Sequence, residues 1–465
     1  MIRKALLLAA ALIASAAGAQ PVRPDQTAFR ALYKELVETN TTLSAGSCTD
    51  AAAKLAARLK TAGFADADLT LYSAPDHPKE GGLVAILRGS DAKAKAILLL
   101  AHLDVVEAKR ADWTRDPFTL VEEDGYFYGR GTFDDKAQAA IWTDTLIRYK
   151  QSGKTPKRTL KLALTCGEET TNAFNGADWL AKNKASLIAA EFALNEGGGG
   201  RYDAAGKPMG LGVQVGEKTV QNFKLEATNP GGHSSVPRPD NAVTDLARAI
   251  VKVNTLEFPV QFNDTTRAFF TAMAKAVPAP VGTAITALLA NPRDAAASAI
   301  VSQDPTFHST LRTTCVTTLV NAGHANNALA QRADANVNCR MFPGTDPEKT
   351  RADLVAAIGD PRITISLVPP IRPVAVAPPL NPAVLGPMKA LAAKHFPGVP
   401  FSTVMSTGAT DAIFLSPIGI PTYGAPGTFI DLDGNGMHGL NERIRIKSLM
   451  QGRDYLDDLV HTLAG

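Results

Sequence analysis

The sequence predicts an α/β protein in which a mixed, mostly parallel sheet is flanked by helices and interrupted by an inserted α+β lid. Three observations carry this reading. Ala96–Ala101 is a continuous apolar run of strand length, the pattern of a strand buried on both faces, and Leu160–Thr165 and Glu191–Glu196 are further short strand-like runs. The turn Tyr128–Asp135, punctuated by Gly129 and Gly131, leads into a helical pattern from Ala137 to Tyr149, so strands and helices alternate. From Gly216 to Ala227 the pattern becomes polar–apolar alternation, the mark of a half-buried strand, and a different region begins.

Along the chain, residues 21–216 form the first part of the sheet domain, 217–370 the lid and 371–465 the second part. Within the lid the sequence predicts a helix over Asn241–Val253, an alanine-rich helical pair across Thr265–Asn291, and strands near Thr313–Val320 and Ala333–Cys339. The proline-rich stretch Val368–Pro382 reads as the linker back. A helix over Ala383–His395 and a strand over Pro400–Val404 then complete a discontinuous sheet domain.

Each strand-like run ends in a side chain able to bind metal. His102 follows Ala96–Ala101, and Asp104, two residues on, points the same way and can hold the second ring nitrogen, fixing the tautomer. Asp134 lies near a helix start, where a carboxylate ordinarily caps the helix or meets its dipole. Glu168 and Glu169 follow Leu160–Thr165; adjacent carboxylates in solvent are only a charged surface, but beside a metal such a pair splits into one ligand and one free base. Glu196 precedes a glycine run, and the loop Gly434–Arg443 delivers His438. Each is bland alone. Their succession at strand ends is informative, because open α/β sheets bind ligands beyond the carboxyl ends of parallel strands.

As a set, His102-Leu103-Asp104, Gly129-Arg130-Gly131 with Asp134 and Lys136, Glu168-Glu169, Glu196 before glycines, Gly231-Gly232-His233-Ser234-Ser235, and His438 before Asn441-Glu442 resemble one family. It is the co-catalytic zinc peptidases and deacylases, among them glutamate carboxypeptidase, carnosine dipeptidases, aminoacylase, acetylornithine deacetylase and carboxypeptidase S, with the last branch nearest. The resemblance spans almost the whole mature chain and implies the zinc-peptidase fold with a lid that dimerises in some members. It implies one zinc on His102 and Glu196, a second on Glu169 and His438, and Asp134 bridging both, with cobalt or manganese able to use the same donors. A water shared by two such ions approaches hydroxide at neutral pH, and Glu168 is implied as the base that takes its proton and passes it to the leaving nitrogen. Asn195 stands where carboxypeptidase-S-like members have aspartate. Glu196 is preferred as ligand, because asparagine oxygen binds zinc poorly and an ionised carboxylate offsets the charge of the ions.

Asp104 and His233 complete the implied catalytic set, His233 as a donor to the tetrahedral oxyanion, sometimes across a dimer interface. The resemblance assigns Asn327 and Arg340 to the substrate, Arg340 as a bidentate clamp on a carboxylate. Thr407-Gly408-Ala409-Thr410-Asp411 resembles the family's glycine-rich substrate loop, with Thr410 as a donor. The implied reaction is hydrolysis of a peptide or N-acyl amide next to a free carboxylate, as in a carboxypeptidase, dipeptidase or N-acyl-amino-acid deacylase, with a homodimer through the lid. Two alternatives remain open: a catalytically silent peptide- or small-molecule-binding protein on the same scaffold, and a single-metal or cysteine hydrolase built on Cys166.

Composition agrees. A chain of 465 residues is long enough for two buried cores, and 45% hydrophobic with 20% charged residues is ordinary for a globular protein. A formal charge of +3 is too small to argue for nucleic acid. Basic Met1–Lys4, apolar Ala5–Ala14 and the small residues Ala17-Gly18-Ala19 read as a cleavable signal peptide over residues 1–20, shorter than a membrane span, and predict a periplasmic or secreted protein. The four cysteines allow three full pairings. Cys315 and Cys339, in neighbouring strand-like runs, are the expected pair, with Cys48 and Cys166 as candidate free thiols.

Overall fold

The structure, a computed structural model, describes residues 23–170 and 174–465; the signal peptide expected over residues 1–20 lies outside them. Six strands form the principal sheet in the order Leu69–Ala74, His77–Leu87, Leu160–Thr165, Ile97–His102, Phe192–Asn195 and Thr422–Gly424. The first two are antiparallel additions at one edge, and the remaining neighbours are parallel, so the sheet is mixed as expected. All six residues of Ile97–His102 are buried, which explains a run with no polar alternation. Pairing of His102 with Thr165 brings two strand ends level, and the segments that follow them, Leu103–Asp104 and Cys166–Glu169, therefore leave the sheet side by side.

One face of this sheet packs on the helices Pro24–Val37, Cys48–Thr61, Lys136–Gln151 and Ile446–Ala464. Lys136–Gln151 lies deepest. Its Ala139 and Ala140 are fully buried, and Trp142 donates its indole N–H to the Leu100 carbonyl at 3.1 Å. Small residues permit that close approach, and the tryptophan's one polar atom is satisfied where it is buried. The opposite face is covered by Leu180, Ile188, Leu415 and Ile420 from shorter elements.

A second sheet contains Phe401–Ser406, Pro208–Glu217, Gly198–Tyr202 and Phe429–Ile430. The strand expected from Gly216 onward is thus two strands, Pro208–Glu217 and Thr219–Thr228, which meet at Lys218. Thr219–Thr228 alternates buried and half-buried residues as its sequence predicts, and it joins a four-stranded antiparallel sheet with Thr314–Ala322, Arg332–Met341 and Ile363–Val368. The helices Ala242–Asn254 and Pro347–Ile358 cover one side of that sheet. Four further helices between Asp264 and Thr310 enclose a small core around Phe269, Phe270 and Phe307. No described helix is long and apolar enough to cross a membrane.

The cysteine expectation needs one correction. Cys315 pairs with Cys339, but Cys48 and Cys166 are also joined, their Cα atoms 6.1 Å apart. Cys48 opens a helix that packs against the sheet where Leu160–Thr165 ends, a proximity that 118 residues of sequence separation conceal. With both cysteines in this bridge, Cys166 is not a thiol nucleophile. Closing so long a loop restricts the unfolded chain. The double variant Cys48→Ala/Cys166→Ala is expected to lose roughly 2–5 kcal/mol in denaturant unfolding; an unchanged midpoint and slope would contradict that role.

Candidate metal centre

His102 ends its strand with Nδ1 3.0 Å from the backbone carbonyl of Asp104, which turns Nε2 the other way. There Nε2 lies 3.2 Å from Asp134 Oδ1 and 3.8 Å from Glu196 Oε1. The expectation that the Asp104 side chain holds the ring is corrected: that carboxylate is 3.6 Å from Nδ1 and accepts instead from the backbone N–H groups of Glu168 at 3.3 Å and Glu169 at 3.0 Å. Asp104 therefore orients the histidine through its carbonyl and the Glu168–Glu169 turn through its carboxylate. On the far side, His438 Nε2 stands 3.0 Å from Asp134 Oδ2 and 3.0 Å from Glu169 Oε1. Asp134 thus offers one oxygen to each imidazole. Ligand atoms of His102, Asp134 and Glu169 fall within 4.8 Å of one another, as do those of His102, Glu168 and Glu196.

The electrostatics of this cluster are unbalanced. Burial, with the neighbouring acids, raises the carboxyl groups of Glu168 and Glu196 well above their ordinary range, and burial raises Glu169. Burial opposes a charged His102, yet Glu196, Asp104 and Asp134 together push its pKa well up. Hydrogen bonds to Asp134 and Glu169 push His438 up to about 10. Asp134 goes the other way: burial opposes its charge, but the hydrogen bonds from both imidazoles hold it below the usual carboxylate range. Four carboxylates facing two imidazoles form an excess of negative charge that divalent cations would neutralise. The adjacent Asp135 is buried as well, and its Oδ2 has no hydrogen-bond partner. Nitrogen and oxygen donors in this number, with no thiolate, fit a pair of zinc-like ions.

A carboxylate outside the cluster holds it in shape. Glu442 is fully buried and accepts from Arg130 Nη1 at 2.7 Å and from the N–H groups of Gly131, Phe133 and Asp134 at 3.0, 2.8 and 3.0 Å. Arg130 also donates to the Gly439 carbonyl at 2.6 Å and lies over the Trp113 ring. The loop bearing His438 is unusual in its backbone. Asn435, His438 and Asn441 all have left-handed φ, of 59°, 58° and 54°, a conformation that asparagine and histidine tolerate better than most residues. Asn441 Oδ1 pins the loop by accepting from the Thr114 N–H and hydroxyl. In sequence Glu442 stands only as a companion of His438; the signal for its role is the glycine-punctuated turn through Gly131–Asp134, whose backbone N–H groups need an acceptor.

Two cavities meet at the cluster, sharing Glu168, His438 and Gly408–Thr410. One, of about 460 Å³, continues past Glu169 to Arg340. The other, of about 680 Å³, runs past Asp134 and Glu196 between Phe133, Ile141, Met405 and Leu456. Thr410 donates to Glu217 Oε2 at 2.8 Å, Gln214 donates to the same oxygen at 2.9 Å, and burial pushes Glu217 up to about 8. Asn195 donates to the Thr410 hydroxyl at 3.2 Å and so supports this loop, while Glu196 is the member of the pair that faces His102. Glu217 and Gln214 gave no signal in the sequence. His233 and Asn327 are brought together on an exposed turn, where Ser234 N–H donates to the Asn327 carbonyl at 3.0 Å, but neither lines either cavity. Glu442→Gln is expected to cost roughly 3–5 kcal/mol by uncoupling a buried ion pair and to lower bound metal per chain. Unfolding together with elemental analysis checks this; wild-type stability with full metal content would contradict it.

Residues 98–462 match peptidase family M20/M25/M40. A probable carboxypeptidase S-like 2 from Dictyostelium discoideum is 28% identical over 388 residues, covering 81% of this chain and 73% of that protein. The N-fatty-acyl-amino acid synthase/hydrolase PM20D1 of Homo sapiens is 28% identical over 385 residues, covering 80% of this chain and 75% of that one. Among solved structures, the M20 family metallo-carboxypeptidase Sso-CP2 from Sulfolobus solfataricus superposes with a TM-score of 0.70 over 95% of this chain and 99% of its own, at 18% identity, a likeness of fold. A match running from the strand that carries His102 to the last helix embraces every element of the cluster, and the chain belongs to peptidase family M20/M25/M40, as a metallopeptidase or amidohydrolase.

Proposed function

We propose that this protein is a two-zinc hydrolase acting outside the cytoplasm on N-acyl amino acids or peptides, and that it cleaves the amide beside the free carboxylate of the leaving amino acid. The observation that carries the reading is Asp134 facing His102 with one oxygen and His438 with the other, where two cavities converge. His102 and Glu196 would hold one zinc, Glu169 and His438 the other, and Asp134 both; cobalt or manganese fit the same donors. Bound there, the ions supply Lewis acidity toward the amide carbonyl and make a shared water more acidic.

The residues divide the remaining work. Glu168 lines both cavities and takes the proton of the attacking water, then returns it to the leaving nitrogen. Asp104 keeps Glu168 and Glu169 in place through their backbone N–H groups. Arg340 receives the substrate carboxylate, and Thr410 borders the path between the cavities. The larger cavity, walled by Phe133, Ile141, Met405 and Leu456, takes the acyl part, and its apolar lining favours a long hydrocarbon chain over a second amino acid. The relative named as an N-fatty-acyl-amino acid hydrolase is consistent with that preference.

His233 and Asn327 serve the substrate of a second copy. The strand Thr314–Ala322 is an edge of its sheet and exposes Val316, Leu319 and Val320, features suited to a homodimer through the lid that carries the exposed turn across. Two disulfides suit the oxidising compartment that a signal peptide would reach. Glu168→Gln is expected to keep its metal and lose roughly 10²–10⁴-fold in kcat on N-acyl amino acids. Wild-type turnover by that variant, or by chelator-treated enzyme, would overturn the reading. Arg340→Ala is expected to raise KM about 10-fold or more for substrates with a free carboxylate and to leave their amidated counterparts little changed; an equal effect on both would remove the clamp.

A further inference from the structure

We propose that Lys218 is the centre of a binding site for a small inorganic anion of the chloride class, set apart from the residues of the metal cluster. Lys218 stands where the strand Pro208–Glu217 passes into Thr219–Thr228, and its side chain is fully buried. Register pairs Arg340 with Val220 on one side and with Thr314 on the other, so Arg340 lies between them in the middle strand. The lysine reaches over the end of that strand: its Nζ donates to Thr314 Oγ1 at 3.4 Å and to Ser309 Oγ at 3.1 Å, the latter on the helix Pro305–Thr310. Three pieces of the chain thus converge on one ammonium group.

The charges around Lys218 do not balance. Arg312, two residues before Thr314, is buried as well; its Nη1 meets His308 Nδ1 at 2.9 Å, its Nη2 donates to Ser298 Oγ at 2.7 Å, and its buried Nε has no hydrogen-bond partner. Arg340 donates from Nε to a neutral group, Asn338 Oδ1, at 3.2 Å. Glu257, 3.7 Å from Arg312, is largely exposed, and Glu217, the chain neighbour of Lys218, is engaged with Thr410 and Gln214. Among the described residues no carboxylate pairs with Lys218 or Arg340. Burial, and after it Arg340 and Arg312, push Lys218 down to about 7. A buried ammonium with only hydroxyls beside it is costly, and an anion removes that cost. The donors for one are present. An ammonium carries three N–H groups, of which two are spent here on hydroxyls. Ser309 and Thr314 accept from the lysine and keep their own O–H hydrogens, which have no acceptor among the described residues. A spherical anion accepts from such scattered donors, whereas a carboxylate suits a planar fork.

A lysine that is merely neutral and hydrogen-bonded to two hydroxyls makes a different forecast: chloride would not matter. The test follows thermal unfolding of the full chain at neutral pH in about 0.2 M sodium chloride and in sodium gluconate of the same ionic strength, gluconate being too large for a buried site. Chloride is expected to raise Tm by about 2–5 °C over gluconate, and Lys218→Met to shrink that difference below about 1 °C. Equal Tm values in the two salts for the wild type, or a chloride shift that survives in Lys218→Met, would overturn the proposal. Crystals grown with sodium bromide decide the matter without a variant: an anomalous peak at hydrogen-bond distance from Lys218 Nζ is expected, and its absence overturns the site. A bromide peak with no thermal shift marks an adventitious ion only and overturns it as well. None of these readouts depends on turnover, so their outcome is independent of the hydrolase reading.

Discussion

The buried carboxylate of Glu442 joins stretches of chain more than 300 residues apart. An ionised carboxylate without partners is costly in a protein interior, and here four donors surround it: the Arg130 guanidinium and the backbone N–H groups of Gly131, Phe133 and Asp134. The turn and the His438 loop are each irregular and would each leave polar backbone unsatisfied alone. Together they close around one anion. Because Asp134 N–H is among the donors, the same contact that satisfies Glu442 sets the backbone from which the Asp134 side chain reaches both imidazoles.

That geometry gathers charge the apolar scaffold would otherwise refuse. Asp134, Glu168, Glu169 and Glu196 stand around His102 and His438, and burial penalises every ionised member of the group. The fold sustains it because the supports are rigid: fully buried Leu98–Ala101 beneath His102, the Cys48–Cys166 bridge immediately before Gly167-Glu168-Glu169, and the Asp104 carboxylate gripping the backbone of that turn. Sequence, strand end, packing and site chemistry form one chain of cause here. A core too apolar to hold polar groups delivers them all to its edge.

Much of this was legible before any coordinates. His102, Asp134, Glu169, Glu196 and His438 stand out because each follows a short apolar run or a glycine-rich turn, signals that depend on neighbours in sequence, while the family resemblance is what groups them as a ligand set. The alternating Thr219–Thr228 strand and the helices between Asp264 and Ala290 were legible for the same reason. What escaped depends on partners distant in the chain. Cys48 meets Cys166 only because a helix docks on a strand end, and the Asp104 carboxylate turns to the Glu168–Glu169 backbone because the ring nitrogen is already met by its carbonyl. Glu217 looks like any strand-end acid until Thr410 and Gln214 close over it. The edge hairpin of Leu69–Ala74 and His77–Leu87 was missed as well, since Pro75-Asp76 is a turn signal set between runs of mixed polarity.

Two unlike cavities meeting at one cluster give the site a direction, apolar on the Glu196 side and cationic on the Arg340 side. In the proposed reading, a substrate with an apolar arm and an anionic arm would lie across the cluster with its amide between Glu168 and His438. The proposed function depends on Asp134 serving two cations at once. The most direct measurement is a crystal structure of the zinc-loaded protein with anomalous scattering at the zinc edge: two peaks about 3.5–4 Å apart, one on either side of Asp134, are the expected result. A single peak, or two whose ligands leave out Asp134, would contradict the account.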